Sequence, residues 1–337
     1  MKPNLFVAFS RRGASALLLC ATGMVCAQPA GAQTPGTQDY PARTVQLIVP
    51  FPPGGPTDIV GRLVAQRLSE GLGRSVVVEN RPGAGGTVGS AAAAKAAPDG
   101  YTLLYGSTST LAIAPSLYRS LSYDPRVAFT PISLVSRGAI VLAVHSAVPA
   151  ASLNDFIAEA RRAPGKFAYA SAGSGTPPHL AAEFFKSVAG IDLLHVPYKG
   201  GAQALNDVAS GQAQAIFEGL VTLAPQIRAG RIRALAITGE RRDPALPDVP
   251  TFAQAGLAQY DAYFWSGLVA PAGTPADIIN RLNAVLTQGL ERPDIREAFE
   301  RQGLQTAASS PTAFGQFIAS EIDRWARVAK ASGAQVD

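Results

Sequence analysis

The stretch VQLIVPFPPGGPTD, residues 45–58, decides the fold. Its apolar run Val45–Val49 is typical of a buried strand, and apolar residues recur at helical spacing after Pro56. Between them, Gly54 and Gly55 allow the backbone to turn tightly and to approach a ligand closely. The first amides of a helix have no intrahelical partner and favour an anion. The segment therefore predicts a strand-to-helix loop that holds an anion, and an ordinary turn is the alternative.

Asp58 lies in the first turn of this predicted helix, where backbone amides are free. Its carboxylate would compete with an anionic ligand for the same donors, because both carry negative charge. We therefore expect Asp58 to cap backbone groups or to hold an ordered water rather than to contact a ligand directly.

Short apolar strands alternate with helical patterns along the rest of the chain, which predicts parallel βαβ units and an α/β fold. One round occupies residues 45–105, and a second begins with an apolar strand at 139–144. The chain is longer than a single-core domain usually is, so two lobes are expected. We predict lobe 1 from residues 40–138 and 240–337 and lobe 2 from residues 139–239, with two chain crossings acting as a hinge.

Residues 1–32 have the features of an export signal: a basic pair precedes a short apolar run, and small-residue cleavage sites follow. Both cysteines, Cys20 and Cys26, fall inside this leader, so the mature chain would carry no disulfide and no thiolate metal site. Residues 33–39 are polar and predict a flexible tether. The sequence therefore predicts a periplasmic protein whose signal peptide is cleaved.

Charge and histidine content argue against several functional classes. The chain has 29 Lys and Arg against 24 Asp and Glu, and the basic residues are scattered rather than clustered. Its 3 histidines lack the spacing of a metal site. We therefore expect no nucleic-acid partner, no metal and no cofactor.

A second strand-to-helix loop, SAGSGTPPH at residues 171–179, brings small residues, hydroxyls and one imidazole together. Its candidate ligand contacts are Ser171, Gly173, Ser174 and His179. A secreted serine hydrolase or transferase, with Ser174 as nucleophile and His179 as base, is the alternative function. The G-x-S-x-G pattern of many hydrolases is absent, so we predict no catalytic residue.

Further candidates follow other predicted strands. Gly85 and Gly86 lie in a loop that does not match the dinucleotide-binding pattern G-x-G-x-x-G, and an ordinary tight turn is the alternative there. Ser107, after the third strand, supplies a hydroxyl. Glu218 follows an apolar run, where its carboxylate would accept a hydrogen bond from an amine or a water in the cleft.

Five motifs cover nearly the whole mature chain in order: VPFPPGGPTD (49–58), ENRPGAGG (79–86), PDGYTL (98–103), HVPYKG (195–200) and LPDVPT (246–251). Together they resemble the Bug receptors, the periplasmic substrate-binding proteins of tripartite tricarboxylate transporters. The resemblance implies a type II periplasmic binding protein, in which two Rossmann-like lobes joined by a hinge close on a ligand like a Venus flytrap.

The same resemblance implies a small carboxylate ligand, such as a dicarboxylate, a tricarboxylate, an amino acid or an aromatic acid. We also expect a monomeric receptor that serves an inner-membrane permease or sensor. Glu218 stands where many relatives have aspartate, so the far end of the pocket should differ. The predicted ligand-binding residues are Phe51, Pro53, Gly54, Gly55, Thr57, Asp58, Gly85, Gly86, Ser107, Ser171, Gly173, Ser174, His179 and Glu218.

Overall fold

A mixed β-sheet lies at the centre of the computed structural model, which describes residues 40–336. The predicted signal peptide and tether, residues 1–39, lie outside the described residues. The strands are β1 (Val45–Val49), β2 (Val76–Asn80), β3 (Thr102–Ser107), β4 (Phe129–His145), β5 (Ala168–Ser171), β6 (Leu194–Pro197), β7 (Ala215–Gly219), β8 (Ile232–Ile237), β9 (Tyr263–Pro271) and β10 (Leu304–Thr306).

Helices follow most of these strands, as the alternating pattern predicts. None of those within residues 40–336 combines the length and the apolar character that crossing a bilayer requires. They are α1 (Pro56–Leu72), α2 (Thr87–Ala94), α3 (Ala114–Leu117), α4 (Pro125–Ala128), α5 (Leu153–Arg162), α6 (Pro177–Ala189), α7 (Gly201–Ala209), α8 (Leu220–Arg228), α9 (Ala276–Leu290), α10 (Pro293–Glu300) and α11 (Pro311–Ser332).

Strand β4 changes its hydrogen-bonding partners along its length. Its residues 129–139 pair with β9, whereas residues 140–145 pair with β7 and β8. The sheet order is β2-β1-β3-β9-β4-β7-β5-β6, with β8 and β10 also on β4. We call β1, β2, β3, β9, β10 and the first part of β4 the first half-sheet, and β5 to β8 with the last part of β4 the second half-sheet.

The predicted parallel units are present in both half-sheets. Strand β1 is parallel to β2 and β3, and β5 is parallel to β6 and β7, while the pairs that join β3, β9 and β4 are antiparallel. The strand predicted at 139–144 is longer than expected, since it begins at Phe129. We propose that the lobe boundary lies where β4 changes partner, near Ala139, at the predicted division between residues 138 and 139.

Helix α11 packs against elements of both half-sheets. It begins after Ser310, whose hydroxyl accepts from the Ala313 N–H at 3.2 Å, and it contacts β4 and α6. Its buried face carries a carboxylate, because Glu321 is 2% exposed. Glu321 accepts hydrogen bonds from the indole N–H groups of Trp265 at 2.8 Å and Trp325 at 3.1 Å. The other carboxylate oxygen pairs with Arg324 at 2.9 Å, so this buried charge is fully partnered.

Replacing Glu321 by alanine should lower the free energy of unfolding by about 2–5 kcal/mol, because two indole N–H groups lose their acceptor. Asp323→Ala on the same helix is the matched control. Its pair with Arg126 is exposed and is expected to contribute about 0–1 kcal/mol. Urea denaturation measures both variants, and equal losses of stability would contradict the role given to Glu321.

Candidate functional site

A cavity of about 330 Å³ lies between the two half-sheets, a volume typical of small-molecule sites. It opens where β1, β3, β5 and β7 end, as expected for ligands of open α/β sheets. The first half-sheet and its helices contribute Phe51, Pro56, Thr57, Val60, Tyr105, Ser107, Thr108, Ser109, Ser136, Phe264, Trp265, Ser266, Gln302 and Leu304. The second contributes Pro177, Pro178 and Glu218.

The loop between β1 and α1 is fixed by one buried carboxylate. Asp58, which is 3% exposed, accepts from the Gly54 N–H at 2.9 Å, from Arg62 Nε at 2.9 Å and from Asn80 Nδ2 at 2.8 Å. Burial opposes its ionisation, but the hydrogen bonds from Arg62, Gly54 and Asn80 outweigh that effect and lower the pKa of Asp58. Asn80 Nδ2 also donates to the Phe51 carbonyl at 3.1 Å. The bond from the Gly54 N–H to Asp58 is the contact with a backbone group that the sequence predicts for this carboxylate.

Two glycines near this loop have different roles, a backbone conformation at Gly54 and close packing at Gly86. Gly54 has a φ of 82°, a conformation that other residues rarely adopt. A Cβ on Gly86 would lie 2.7 Å from Thr110 Cγ2 and 3.3 Å from Phe51 Cζ. The absence of a side chain at Gly86 therefore lets the Phe51 ring pack close to its backbone. Of the predicted residues in this half, Phe51, Thr57 and Ser107 line the cavity. Pro53, Gly54, Gly55, Asp58, Gly85 and Gly86 do not line it.

The loop before α6 is held by two stacked imidazoles. The rings of His179 and His195 have centroids 4.0 Å apart, and Ser171 Oγ lies 2.7 Å from His195 Nε2. His179 Nδ1 accepts from the Gly175 N–H at 3.0 Å. Burial, the neighbouring His195 and Lys186 lower the pKa of His179 to about 4, so its ring is neutral near pH 7.

The four predicted residues of this loop do not line the cavity, and Ser171 and His179 bond to groups of the loop and of β6 instead. Ser171 Oγ accepts from the Gly173 N–H at 3.2 Å, and Ser174 is exposed. Within residues 40–336, no hydrogen bond connects Ser174 with His179, whose Nδ1 is already occupied. This arrangement lacks the nucleophile and base contact that the hydrolase alternative requires.

Acidification should lower the melting temperature partly through His179. Because the folded-state pKa of about 4 lies below the unfolded value of about 6.5, stability is complete above pH 6.5 and falls as pH drops toward 4. His179→Gln removes this proton uptake. Between pH 8 and pH 4, the melting temperature of the variant should therefore fall by several degrees less than that of the unmodified chain. Melting curves between pH 4 and 8 measure it, and an unchanged slope in the variant would contradict the assignment.

Glu218 carries the acidic group of the cavity wall. It lies near the end of β7, and its Oε1 accepts from the Gly219 N–H at 2.9 Å. Burial raises the pKa of Glu218, although the Gly219 hydrogen bond acts in the opposite direction. Among the ion pairs that the structure describes, none involves Glu218.

The opposite wall is a row of hydroxyls that sequence reasoning missed. Tyr105 Oη lies 2.5 Å from Ser266 Oγ, which lies 2.7 Å from Ser136 Oγ. Ser107, which pairs with Ser266 in the sheet, has a buried hydroxyl with no hydrogen-bond partner within residues 40–336. These side chains come from β3, β4 and β9. Serines inside otherwise apolar strands, such as those at 136 and 266, were the available signal.

Comparison with known proteins decides the family. Residues 60–334 match the model described as tripartite tricarboxylate transporter family receptor. The chain belongs to this family. It is 40% identical to Protein BugT of Bordetella pertussis (strain Tohama I) over 321 residues, which cover 95% of this chain and 98% of BugT.

Solved structures give the same result. The periplasmic binding protein BugD is 34% identical, with a TM-score of 0.69 and coverage of 88% of this chain and 99% of BugD. R. palustris Rpa4515 with adipate is 37% identical, with a TM-score of 0.74, coverage of 88% of this chain and 100% of that one. MatC from Rhodopseudomonas palustris with bound malate is 34% identical, with a TM-score of 0.70 and coverage of 86% of this chain and 99% of MatC.

These matches confirm the predicted family and the two-lobed periplasmic binding fold. Members of this group are substrate-binding receptors and not enzymes, so the chain is a receptor. The hydrolase alternative built on Ser174 and His179 is therefore rejected, because these residues lack the required contact and because the family consists of receptors.

Proposed function

We propose that this receptor holds the carboxylate of a small ligand at the first turn of α1, inside the cavity between its lobes. The observation that carries the proposal is that α1 begins on the cavity wall, where Pro56 and Thr57 line it. The first intrahelical bond runs from the Ile59 N–H to the Gly55 carbonyl at 3.0 Å, so the amides of Thr57 and Asp58 have no intrahelical partner. Such amides favour an anion.

The surroundings support an anion at α1 rather than at α6. Helix α6 also begins on the cavity, but Pro177 and Pro178 occupy its first two positions and carry no N–H. No lysine or arginine is among the described residues of the cavity wall. Backbone amides and hydroxyls are therefore the donors that meet a carboxylate here.

Solved neighbours support the ligand class. Rpa4515 was solved with adipate and MatC with bound malate, and both ligands are carboxylic acids. We infer that this chain binds a small carboxylate as well. The loop residues that do not line the cavity, including Gly54, Gly55, Gly173 and Ser174, keep their predicted place in this proposal as the rims that approach the ligand when the lobes close.

Delivery and export complete the proposal. As a receptor of this family, the chain would pass its ligand to the membrane components of a tripartite tricarboxylate transporter or to a sensor. We propose that it acts as a monomer in the periplasm after loss of residues 1–32.

Intact-mass measurement of protein from the periplasmic fraction tests the export step, and a mass that retains the leader would contradict it.

A carboxylate should raise the melting temperature, whereas its amide should not. Ligand at 100 times its dissociation constant stabilises the folded state by about 2.7 kcal/mol. For a chain of this size we expect a shift of several degrees. Thermal shift with adipate, malate and other small acids, each beside its amide, measures this. The absence of stabilisation by every acid would contradict carboxylate capture.

Thr57→Pro should weaken acid binding about 10- to 100-fold, because it removes one amide that donates to the carboxylate. Thr57→Ala is the matched control, since it removes the hydroxyl and keeps that amide. Two consecutive prolines are compatible with a helix start in this chain, as Pro177 and Pro178 show. Calorimetry compares the two variants, and equal affinities would place the carboxylate elsewhere.

A further inference from the structure

Glu218 is an acidic group without a cation in a cavity that is otherwise neutral. Its Oε1 is bonded to the Gly219 N–H, but no arginine or lysine side chain within residues 40–336 forms an ion pair with it. Glu218 is partly buried, and burying a carboxylate is unfavourable unless a positive charge or several donors meet it. The Glu218 carboxylate therefore faces the cavity as a hydrogen-bond acceptor that would be stabilised by a cation.

Charge balance inside the cavity argues against a second ligand carboxylate. With Glu218 on the wall and no basic side chain beside it, a dicarboxylate or tricarboxylate would bring like charges together in a partly desolvated space. A ligand with one carboxylate and one ammonium avoids this repulsion. Its carboxylate meets the first turn of α1, and its ammonium meets Glu218.

The rest of the wall indicates the body of the ligand. Aromatic and aliphatic side chains form most of the surface between the polar groups, namely Phe51, Val60, Phe264, Trp265 and Leu304. These side chains favour an apolar or aromatic skeleton over a densely hydroxylated one. At about 330 Å³ the cavity suits a molecule of roughly amino-acid size.

We propose that Glu218 makes this receptor selective for an amino acid, a ligand with one carboxylate, one ammonium and an apolar body. This rests on the carboxylate capture proposed above and adds the second recognition point. The ammonium donates to the Glu218 carboxylate, and the hydroxyls of Ser107 and Ser109 line the same cavity from the side of the first half-sheet.

Matched ligand sets test the proposal by calorimetry on the mature chain. The first set is 6-aminohexanoate, hexanoate and adipate, which share a chain and differ in the group at its end. The second is phenylalanine, 3-phenylpropionate and phenylsuccinate, which place the second group near the carboxylate. In the set whose spacing fits the cavity, the aminated acid should bind at least about tenfold more tightly than both others, since it alone gains a charged hydrogen bond to Glu218.

Glu218→Gln supplies the decisive variant, because it keeps the shape and one acceptor oxygen, replaces the other oxygen by an NH2 donor and removes the charge. Its preference for the aminated acid should fall to within about threefold. Glu291→Gln, an exposed position after α9, is the matched control and should bind like the unmodified chain. Since Glu218 has no ion pair to lose, the variant should keep its melting temperature within a few degrees.

The outcomes separate this inference from the one on which it depends. If, in both sets, the deaminated acid or the dicarboxylate binds as tightly as the aminated acid, amino-acid selectivity is overturned and carboxylate capture still holds. A Glu218→Gln protein that retains the full preference also overturns it. Failure of every acid in both sets to bind overturns carboxylate capture as well.

Discussion

One strand shared by two half-sheets is the constraint on which this structure depends. Over residues 129–139, β4 is hydrogen-bonded to β9, and over residues 140–145 it is bonded to β7 and β8. The ends of β3 and β7 are thereby kept on opposite sides of one cavity. Helix α11 packs on β4 and on α6. Tyr260, in the segment before β9, also contacts α6, because its hydroxyl donates to the Ala181 carbonyl at 3.0 Å. The cavity is therefore a consequence of strand pairing.

Electrostatics inside that cavity follow from which groups are already partnered. Asp58 is occupied by its own loop, and this leaves the free amides of α1 for an anion. Glu321 on α11 is a buried carboxylate too, but two indoles and Arg324 satisfy it. Glu218 differs from both, because one backbone N–H is its only hydrogen bond within the described residues. Asp58 and Glu321 are thus buried and have several partners each, whereas Glu218 is only partly buried and has one.

Local sequence predicted those parts of the fold whose signals lie within a few residues of each other. Pro56 after two glycines set the start of α1, and the parallel units followed from alternating patterns. The extension of β4 back to Phe129 was missed, since its partner β9 lies about 130 residues further along the chain and the strand contains Pro131. Pairing over such a distance leaves no local periodic signal.

The candidate site was predictable to a similar extent. Four predicted residues near strand ends line the cavity: Phe51 after β1, Thr57 in the first turn of α1, Ser107 at the end of β3 and Glu218 near the end of β7. The hydroxyl row was not predictable, because Ser136 and Ser266 meet only when β4 and β9 pair. The residues predicted in the loop before α6 do not line the cavity, and the sequence could not show the contacts that they make instead. His195 stands beside Tyr169 on the neighbouring strand and binds Ser171, so the hydroxyl and imidazole hold the loop.

A crystal structure of the mature chain with a bound small acid tests the central claim most directly. The account predicts that a carboxylate oxygen lies about 2.7–3.2 Å from the Thr57 backbone nitrogen, with the ligand enclosed between the half-sheets. An acid whose carboxylate lies away from the first turn of α1, or one bound outside this cavity, would contradict it.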